Sequence, residues 1–514
     1  MSDKERLIKT VLCDRLMKEG IEGQYEREAV ARTLSLTDLA VELRRHDCLA
    51  RAVAWHELLE SKGFQDERAI ILDFSRANAI AGNRRGTRWQ WEQPTLACEI
   101  YYLRRALGHP KFIQAAATIQ CMILNNLGNR LRVAGRIIEA LECWRRALQV
   151  QPNFGMALCN RAIHLAAYGD SLEATGKRVV LLWAAHKEAQ AALASTTIYT
   201  APRDKRNVER TRKLKEEIES TIDLAGVNSL NPSAWPITST TEDEGNYRRW
   251  CLENCLFLNS SNDIGPVSIA ATDSTTLASH LVPADSPDIY ASFFDQMKQE
   301  YISARWTLYE GLSHKVPHFS DRDVILYMTE PQPTLSLAIE KVKMAFRISY
   351  SLFDKIAFFL NAYMNLGIPE KRVSFRGVWR DEDTKLIRKE FDQTGNWAFC
   401  ALFWLAKDFF DKESDVVAEP QAQGLNNTRN YLEHKYLRIT TLQSAQKPPD
   451  DLALMMSREE FEAKSVHLLK LARSALIYLT VGVGFEETRR QPNQTGLDNE
   501  VIPEKPPIPD ETKI

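Results

Sequence analysis

Between Asn426 and Ile439 the chain reads NNTRNYLEHKYLRI, which places Arg429, Asn430, Glu433, His434 and Tyr436 within eight residues. A histidine side chain can gain or lose a proton near neutral pH, and an arginine is a permanently charged fork suited to anions. Such residues could form half of an active site, or they could be the solvated face of an ordinary amphipathic helix. The Arg-x4-His spacing alone does not decide, because it recurs at Arg51 and His56 and at Arg104 and His109. Context separates the three. Only the third has an asparagine directly after the arginine, and only it follows a loop-like stretch, EPQAQGLNNT, able to supply an asparagine cap to a helix opening there.

In such a helix Asn430, His434 and Arg438 fall at i, i+4 and i+8 and share one face, with Arg429 and Glu433 as the adjacent i, i+4 row. Leu432, Tyr436 and Ile439 form an apolar stripe on the far side, able to face a core. On the plainer reading Arg429 and Glu433 make an exposed ion pair worth little, and His434 is a surface histidine. Five residues of ideal helix also turn Arg429 and His434 about 140° apart, so a single helix does not aim both at one group. Familiar catalytic patterns lack their residues. ATGKR, at 174–178, has the Gly-Lys of a phosphate loop without the glycine five residues earlier. There is no H-E-x-x-H, G-x-S-x-G or G-x-G-x-x-G.

The elements that must position these residues are helical. Cys121 to Phe154, CMILNNLGNRLRVAGRIIEALECWRRALQVQPNF, fills the template of a tetratricopeptide (TPR) repeat of about 34 residues. Leu127 and Gly128 fall where the first helix packs closely on the second, and Gly135 falls in the turn. Ala140, Trp144 and Ala147 make the second helix's stripe, and Pro152 ends it. One repeat cannot bury its own faces, so looser repeats are expected on both sides. Residues 1–225 thus read as a TPR-like solenoid, and 226–284, rich in Asn, Pro, Ser and Thr, as an irregular junction. Residues 285–485 return to long helical patterns and read as a bundle, while the Pro-rich 486–514 read as an extended or disordered tail. No run alternates strictly, so no sheet is expected. The fold class is all-α.

Composition narrows the function classes. A chain of 514 residues, 44% hydrophobic and 26% charged, suggests about three globular domains, and a net charge of −2 argues against a protein that coats nucleic acid. A local basic cleft is still allowed. The longest apolar runs are shorter than a bilayer requires, and MSDKERLIKT does not resemble a signal peptide. The nine cysteines form no C-x-x-C, and Cys251 with Cys255 has no second ligand pair nearby. Reduced thiols in a cytoplasmic protein, with no membrane, are therefore expected, and zinc is the lesser alternative.

RNYLEH resembles the R-[polar]-x3-H signature of the HEPN superfamily (higher eukaryotes and prokaryotes nucleotide-binding), helical bundles that often act as metal-independent endoribonucleases. The likeness covers roughly 285–485. With the repeats, WCLENCLFLNSSND and LEHKYL, the layout resembles a bacterial TPR–HEPN family associated with stress and phage defence. The resemblance implies a homodimer whose two Arg-x4-His helices make one composite cleft, which would resolve the divergence of Arg429 and His434. It implies His434 as general acid or base around a ribose 2′-OH, Arg429 on the scissile phosphate and Asn430 orienting one of them. No metal or cofactor is implied. The substrate would be RNA, with transfer RNA the first guess, and the repeats would dock a protein or peptide partner. Secondary candidates are Glu433, Arg438, and Asp354 with Lys355, which interrupt an apolar helix where HEPN bundles often place a polar residue. An interhelical ion pair is the competing reading of the last two. Tyr436 completes R-x4-H-x-Y, which is similar to toxins silenced by nucleotidyl transfer onto that tyrosine, although i+2 in a helix sets it nearly opposite His434 and favours a core role. The alternatives to a nuclease are a non-catalytic scaffold and the toxin of a toxin–antitoxin pair.

Overall fold

The computed structural model describes residues 3–84, 91–173, 175–199, 205–283, 287–314, 316–327, 333–410, 420–440, 452–490 and 499–502. They form two compact units. One holds Met1–His164 and His186–Glu216; the other holds Leu165–Ala185, Glu217–Phe410 and the residues from Gln421 on.

The first unit is built of helices α1 (Asp3–Glu19), α2 (Glu26–Leu43), α3 (His46–Glu60), α4 (Glu67–Asn83), α5 (Pro94–Leu107), α6 (Ala117–Val133) and α7 (Ile137–Val150), followed by parts of α8 (Gly155–Asp170), α9 (Thr175–Ala192) and α10 (Lys205–Thr221). Successive helices pack on each other, as stacked helical repeats require. The α6–α7 pair shows why. Gly128 lets α6 close on the buried Trp144, since a Cβ there would lie 2.6 Å from the indole nitrogen. Gly135 takes φ +80° in the turn, a conformation that favours glycine. Helix α7 stops at Val150, two residues before Pro152.

The two other Arg-x4-His pairs are structural here. His56 is 2% exposed and its Nε2 lies 3.2 Å from the hydroxyls of both Thr37 and Ser75. Burial, followed by the nearby Arg76, pushes its pKa down to about 3. His109 accepts the backbone N–H of Lys111 at 3.2 Å, a turn contact after α5.

The second unit contains α11 (Leu224–Leu230), α12 (Glu242–Glu253), β1 (His280–Pro283), α13 (Ile289–Ser313), α14 (Leu337–Tyr363), α15 (Lys389–Asp392), α16 (Trp397–Phe410), α17 (Pro420–His434), β2 (Tyr436–Thr440), β3 (Ala453–Ser457), α18 (Arg458–Arg490) and β4 (Asn499–Ile502). Helices α13 and α14 are the longest packed pair, and α18 packs on both and on α16. Glycines set the close approaches. A Cβ on Gly311 would stand 2.8 Å from the Ala338 carbonyl of α14, and one on Gly482 would meet the Phe399 ring of α16 at 2.3 Å. Helix α18 is long and apolar enough by composition to cross a bilayer, but 83% of that window is buried inside the protein. It is the core helix of the bundle.

The all-α class holds, with two small sheets that the sequence pattern did not announce. Strand β1 pairs antiparallel with β4, and β2 pairs parallel with β3, Tyr436 facing Ala453. Strands of four or five residues are too short for a sustained alternation to register. Of the residues expected as a tail, 486–490 continue α18 and 499–502 form β4; 491–498 and 503–514 lie outside the described residues.

Residues 226–284 are largely irregular, as expected, yet their second half is threaded into the core of the second unit. Arg473 of α18 makes a 2.6 Å ion pair with Asp263, each side chain 2% exposed. It also donates to the carbonyls of Phe257 at 2.6 Å and Asn259 at 2.8 Å. Tyr168 donates to the other Asp263 oxygen at 3.1 Å. Arg305 of α13 grips Asp273 with two bonds of 2.8 and 2.7 Å and donates to the Leu256 carbonyl at 2.9 Å. Buried charge is tolerated when it is paired and hydrogen-bonded in this way.

Candidate active site

Helix α17 runs from Pro420 to His434, so the motif closes the helix and does not open it. After Lys435 the chain turns into β2, where the Tyr436 N–H donates to the Leu452 carbonyl at 3.0 Å. Three expectations change with that boundary. Arg429 is not in a first turn, so the exposed amides of a helix N-terminus do not help it hold an anion; a C-terminal end favours cations. Asn430 and His434 keep their i, i+4 relation, but Arg438 sits on β2 and no longer extends their face. Tyr436 and Ile439 also belong to the strand. Ile439 is buried there, whereas Tyr436 is 43% exposed and is not the core tyrosine that a continuing helix would make it.

Arg429 is half-buried. Its guanidinium lies 5.6 Å from the centre of the Tyr350 ring, and one nitrogen donates to Asn430 Oδ1 at 3.3 Å. Tyr350, on α14, is itself fixed by donating its hydroxyl to Asn426 Oδ1 at 3.0 Å. Burial raises the Tyr350 hydroxyl pKa, the Asp354 carboxylate adds to the rise, and Arg429 opposes it. Asp354, Tyr350 and Arg429 are thus electrostatically linked. Asp354 also accepts the Phe375 N–H at 3.4 Å.

Glu433 is paired, but with Arg347 of α14 at 3.3 Å, and not with Arg429 as the i, i+4 spacing suggested. Arg347 also donates to the Leu432 carbonyl at 2.6 Å and so ties down the last turn of α17. His434, the final helical residue, is exposed and has no hydrogen bond to any described residue; Asn430 is exposed beside it. Lys355 pairs with Glu300 of α13, which makes it an interhelical ion pair and removes it from the candidate site.

The structure therefore gathers Arg429, Asn430, Glu433 and His434 at one helix end, backed by Tyr350 and Asp354, with Tyr436 and Arg438 following on the adjoining strand. Sequence reasoning missed Arg347 and Tyr350. Their signal was present: Arg347, Tyr350 and Asp354 recur at i, i+3 and i+7, one polar stripe on the otherwise apolar α14. Among the described residues no group of three or more His, Cys, Asp or Glu side chains is placed to hold a metal ion.

Comparison with known proteins gives one match. Residues 282–486 fit the family model described as LA2681-like HEPN. No curated protein and no solved structure matches the chain.

Proposed function

From the premise that residues 282–486 are a HEPN domain of the LA2681-like kind, we propose that the protein is a metal-independent endoribonuclease. The observation that carries this reading is the end of α17. There an exposed histidine, without an intramolecular partner, stands five residues from an arginine seated on an aromatic ring.

In this mechanism a basic His434 imidazole takes the proton of a ribose 2′-OH. The freed oxygen attacks the adjacent phosphorus, and the bond to the 5′ oxygen breaks. The leaving oxygen receives a proton from an imidazolium, so the products are a 2′,3′-cyclic phosphate and a 5′-OH end. Arg429 holds the phosphate and stabilises charge developing on it. Its seat on Tyr350 limits the rotamers it can adopt, and Asn430 orients it through their hydrogen bond. The divergence of Arg429 and His434 around α17 supports a composite site in which two copies of the chain bring their α17 ends together. DNA, which lacks the attacking hydroxyl, resists.

The N-terminal helical repeats serve in this reading as a docking arm for a protein or peptide trigger, and the physiological setting is bacterial stress response or anti-phage defence, with transfer RNA as the first substrate to try. A scaffold without catalysis is the second reading, favoured by the fact that one copy of α17 does not converge Arg429 and His434 on one point. The assay that separates them incubates wild type, His434→Ala and Arg429→Ala with total RNA in EDTA. Cleavage by wild type, reduced about 10²-fold or more in each variant, is expected of positioned acid–base and charge-stabilising groups. Equal cleavage by all three removes the site assignment, and growth arrest on expression that His434→Ala abolishes would identify a toxin.

A further inference from the structure

The second unit encloses a cavity of about 860 Å³, within the range of small-molecule sites. Its walls come from three parts of that unit: residues 167–177, residues 275–279, and the last part of α18 from Ile477 to Arg489. Thr394 and Trp397, at the start of α16, complete it, and no lining residue lies on α17 or β2.

The charged residues of the lining are engaged with the protein. Asp170 pairs with Arg178 at 2.9 Å, and Glu173 accepts the Ser279 N–H at 3.1 Å. Lys177 donates to the Ser274 carbonyl at 2.6 Å, and Arg489 pairs with Glu486 at 2.8 Å. Most of the hydroxyls are spent too. Thr480, Thr488 and Thr394 donate to the carbonyls of Thr276, Gly484 and Phe391 at 2.7, 2.9 and 2.7 Å. What remains to meet a ligand is chiefly apolar: threonine methyls, Leu277, Ile477, and the rings of Trp397 and Phe485.

Thr275 is the exception. It is 4% exposed and lines the cavity, and its hydroxyl has no partner among the described residues. Its backbone is held on both sides: its N–H donates to the Leu258 carbonyl at 2.9 Å, and its carbonyl accepts Lys298 at 2.9 Å. The hydroxyl is therefore placed rather than loose. Buried polar groups are nearly always paired, and here the missing partner must come from the cavity.

We propose that this cavity binds a small neutral molecule carrying one flat ring and one hydrogen-bonding group, with the ring among Trp397 and Phe485 and the polar group on Thr275. Neutrality follows from charges already matched within the wall, which leave no ion pair for a charged ligand. The proposal does not depend on nuclease activity.

The test titrates the full chain with indole, with indene (the same ring system without the N–H) and with indole-3-acetate, reading binding by calorimetry and saturation-transfer NMR. Indole is expected to bind saturably at one site, with indene and the anion each weaker. Thr275→Val, nearly isosteric, should lower indole affinity roughly tenfold, the scale of one lost hydrogen bond, and leave indene unchanged. Thr488→Trp, at an exposed position on the wall, should abolish binding of both by filling the mouth. Absence of saturable indole binding at millimolar concentration would mean a cavity filled by water only and would overturn the proposal. So would binding that neither substitution changes, or equal affinity for indole and indole-3-acetate.

Discussion

Arg347 on α14 meets Glu433 at 3.3 Å and donates to the neighbouring Leu432 carbonyl at 2.6 Å, so one side chain fixes the turn of α17 that ends in His434. The pair is partly solvated, its side chains 39% and 35% exposed, and its electrostatic worth is correspondingly small. Its value lies in position. By engaging Glu433 it leaves Arg429 without a carboxylate partner among the described residues, on a surface where an anion can compete for it.

Arg347→Ala should therefore cost RNA cleavage more than it costs stability. The expected outcome is a loss of about tenfold in kcat/KM, since displaced catalytic groups lose rate steeply, with about 1 kcal/mol or less in unfolding free energy. Cleavage kinetics and urea unfolding on the same preparation check it. A large stability loss with unchanged kinetics would make Arg347 a structural residue only.

Tyr350 offers a finer dissection. Tyr350→Phe removes the bond to Asn426 but keeps the ring beneath Arg429, and should cost about 1 kcal/mol of stability with activity largely kept. Tyr350→Leu removes the ring as well and should lower cleavage further, because the seat of the guanidinium is gone. Comparing the two variants in unfolding and cleavage assays isolates the ring's contribution.

Acid should weaken the first unit through its buried histidines. The pKa of His56 is pushed down to about 3, and that of His164 to about 4 by burial, Arg132 and Arg210 against the opposing bond to the Asn160 carbonyl. Both are neutral in the folded chain at a pH where the unfolded chain, with an ordinary histidine pKa near 6.5, takes up protons. The stability they allow is present above that value and is lost as pH falls toward 4. The loss is about 2 kcal/mol per histidine between pH 7 and pH 5. His56→Gln, which keeps hydrogen-bonding capacity without titrating, should remove about one proton's worth of that slope in denaturant melts at pH 7, 6 and 5.

The buried Asp263–Arg473 pair predicts a large structural effect. Asp263→Asn leaves the Arg473 charge without its counter-ion and should cost about 3–5 kcal/mol, seen in denaturant unfolding of the second unit. Adding Arg473→Met to that change should recover part of the loss, because the stranded charge is gone.

How much of this was legible in the sequence depended on the range of the interaction. Gly128, Gly135, Trp144 and Pro152 announced α6 and α7 because the close approach, the positive φ and the helix stop are local requirements. The end of α17 was not legible, because Leu432, Tyr436 and Ile439 fit a helical stripe while Leu437 and Ile439 fit a strand's alternation, and five residues cannot separate the two periods. Arg347 was hidden because its partner lies far along the chain. The Asn259–Asp263 stretch looked like a surface connection because it is polar; it is buried because Arg473, 210 residues beyond Asp263, supplies its counter-charge and two of its hydrogen bonds.

The central claim is that two α17 ends complete one RNA-cleaving site, and the most direct measurement is specific activity against a labelled RNA in EDTA, followed down a dilution series with molar mass read by light scattering on the same samples. The account predicts that activity per chain falls in proportion to the dimer fraction and is absent from the dimer of His434→Ala. Full activity per chain in a monomer would contradict it.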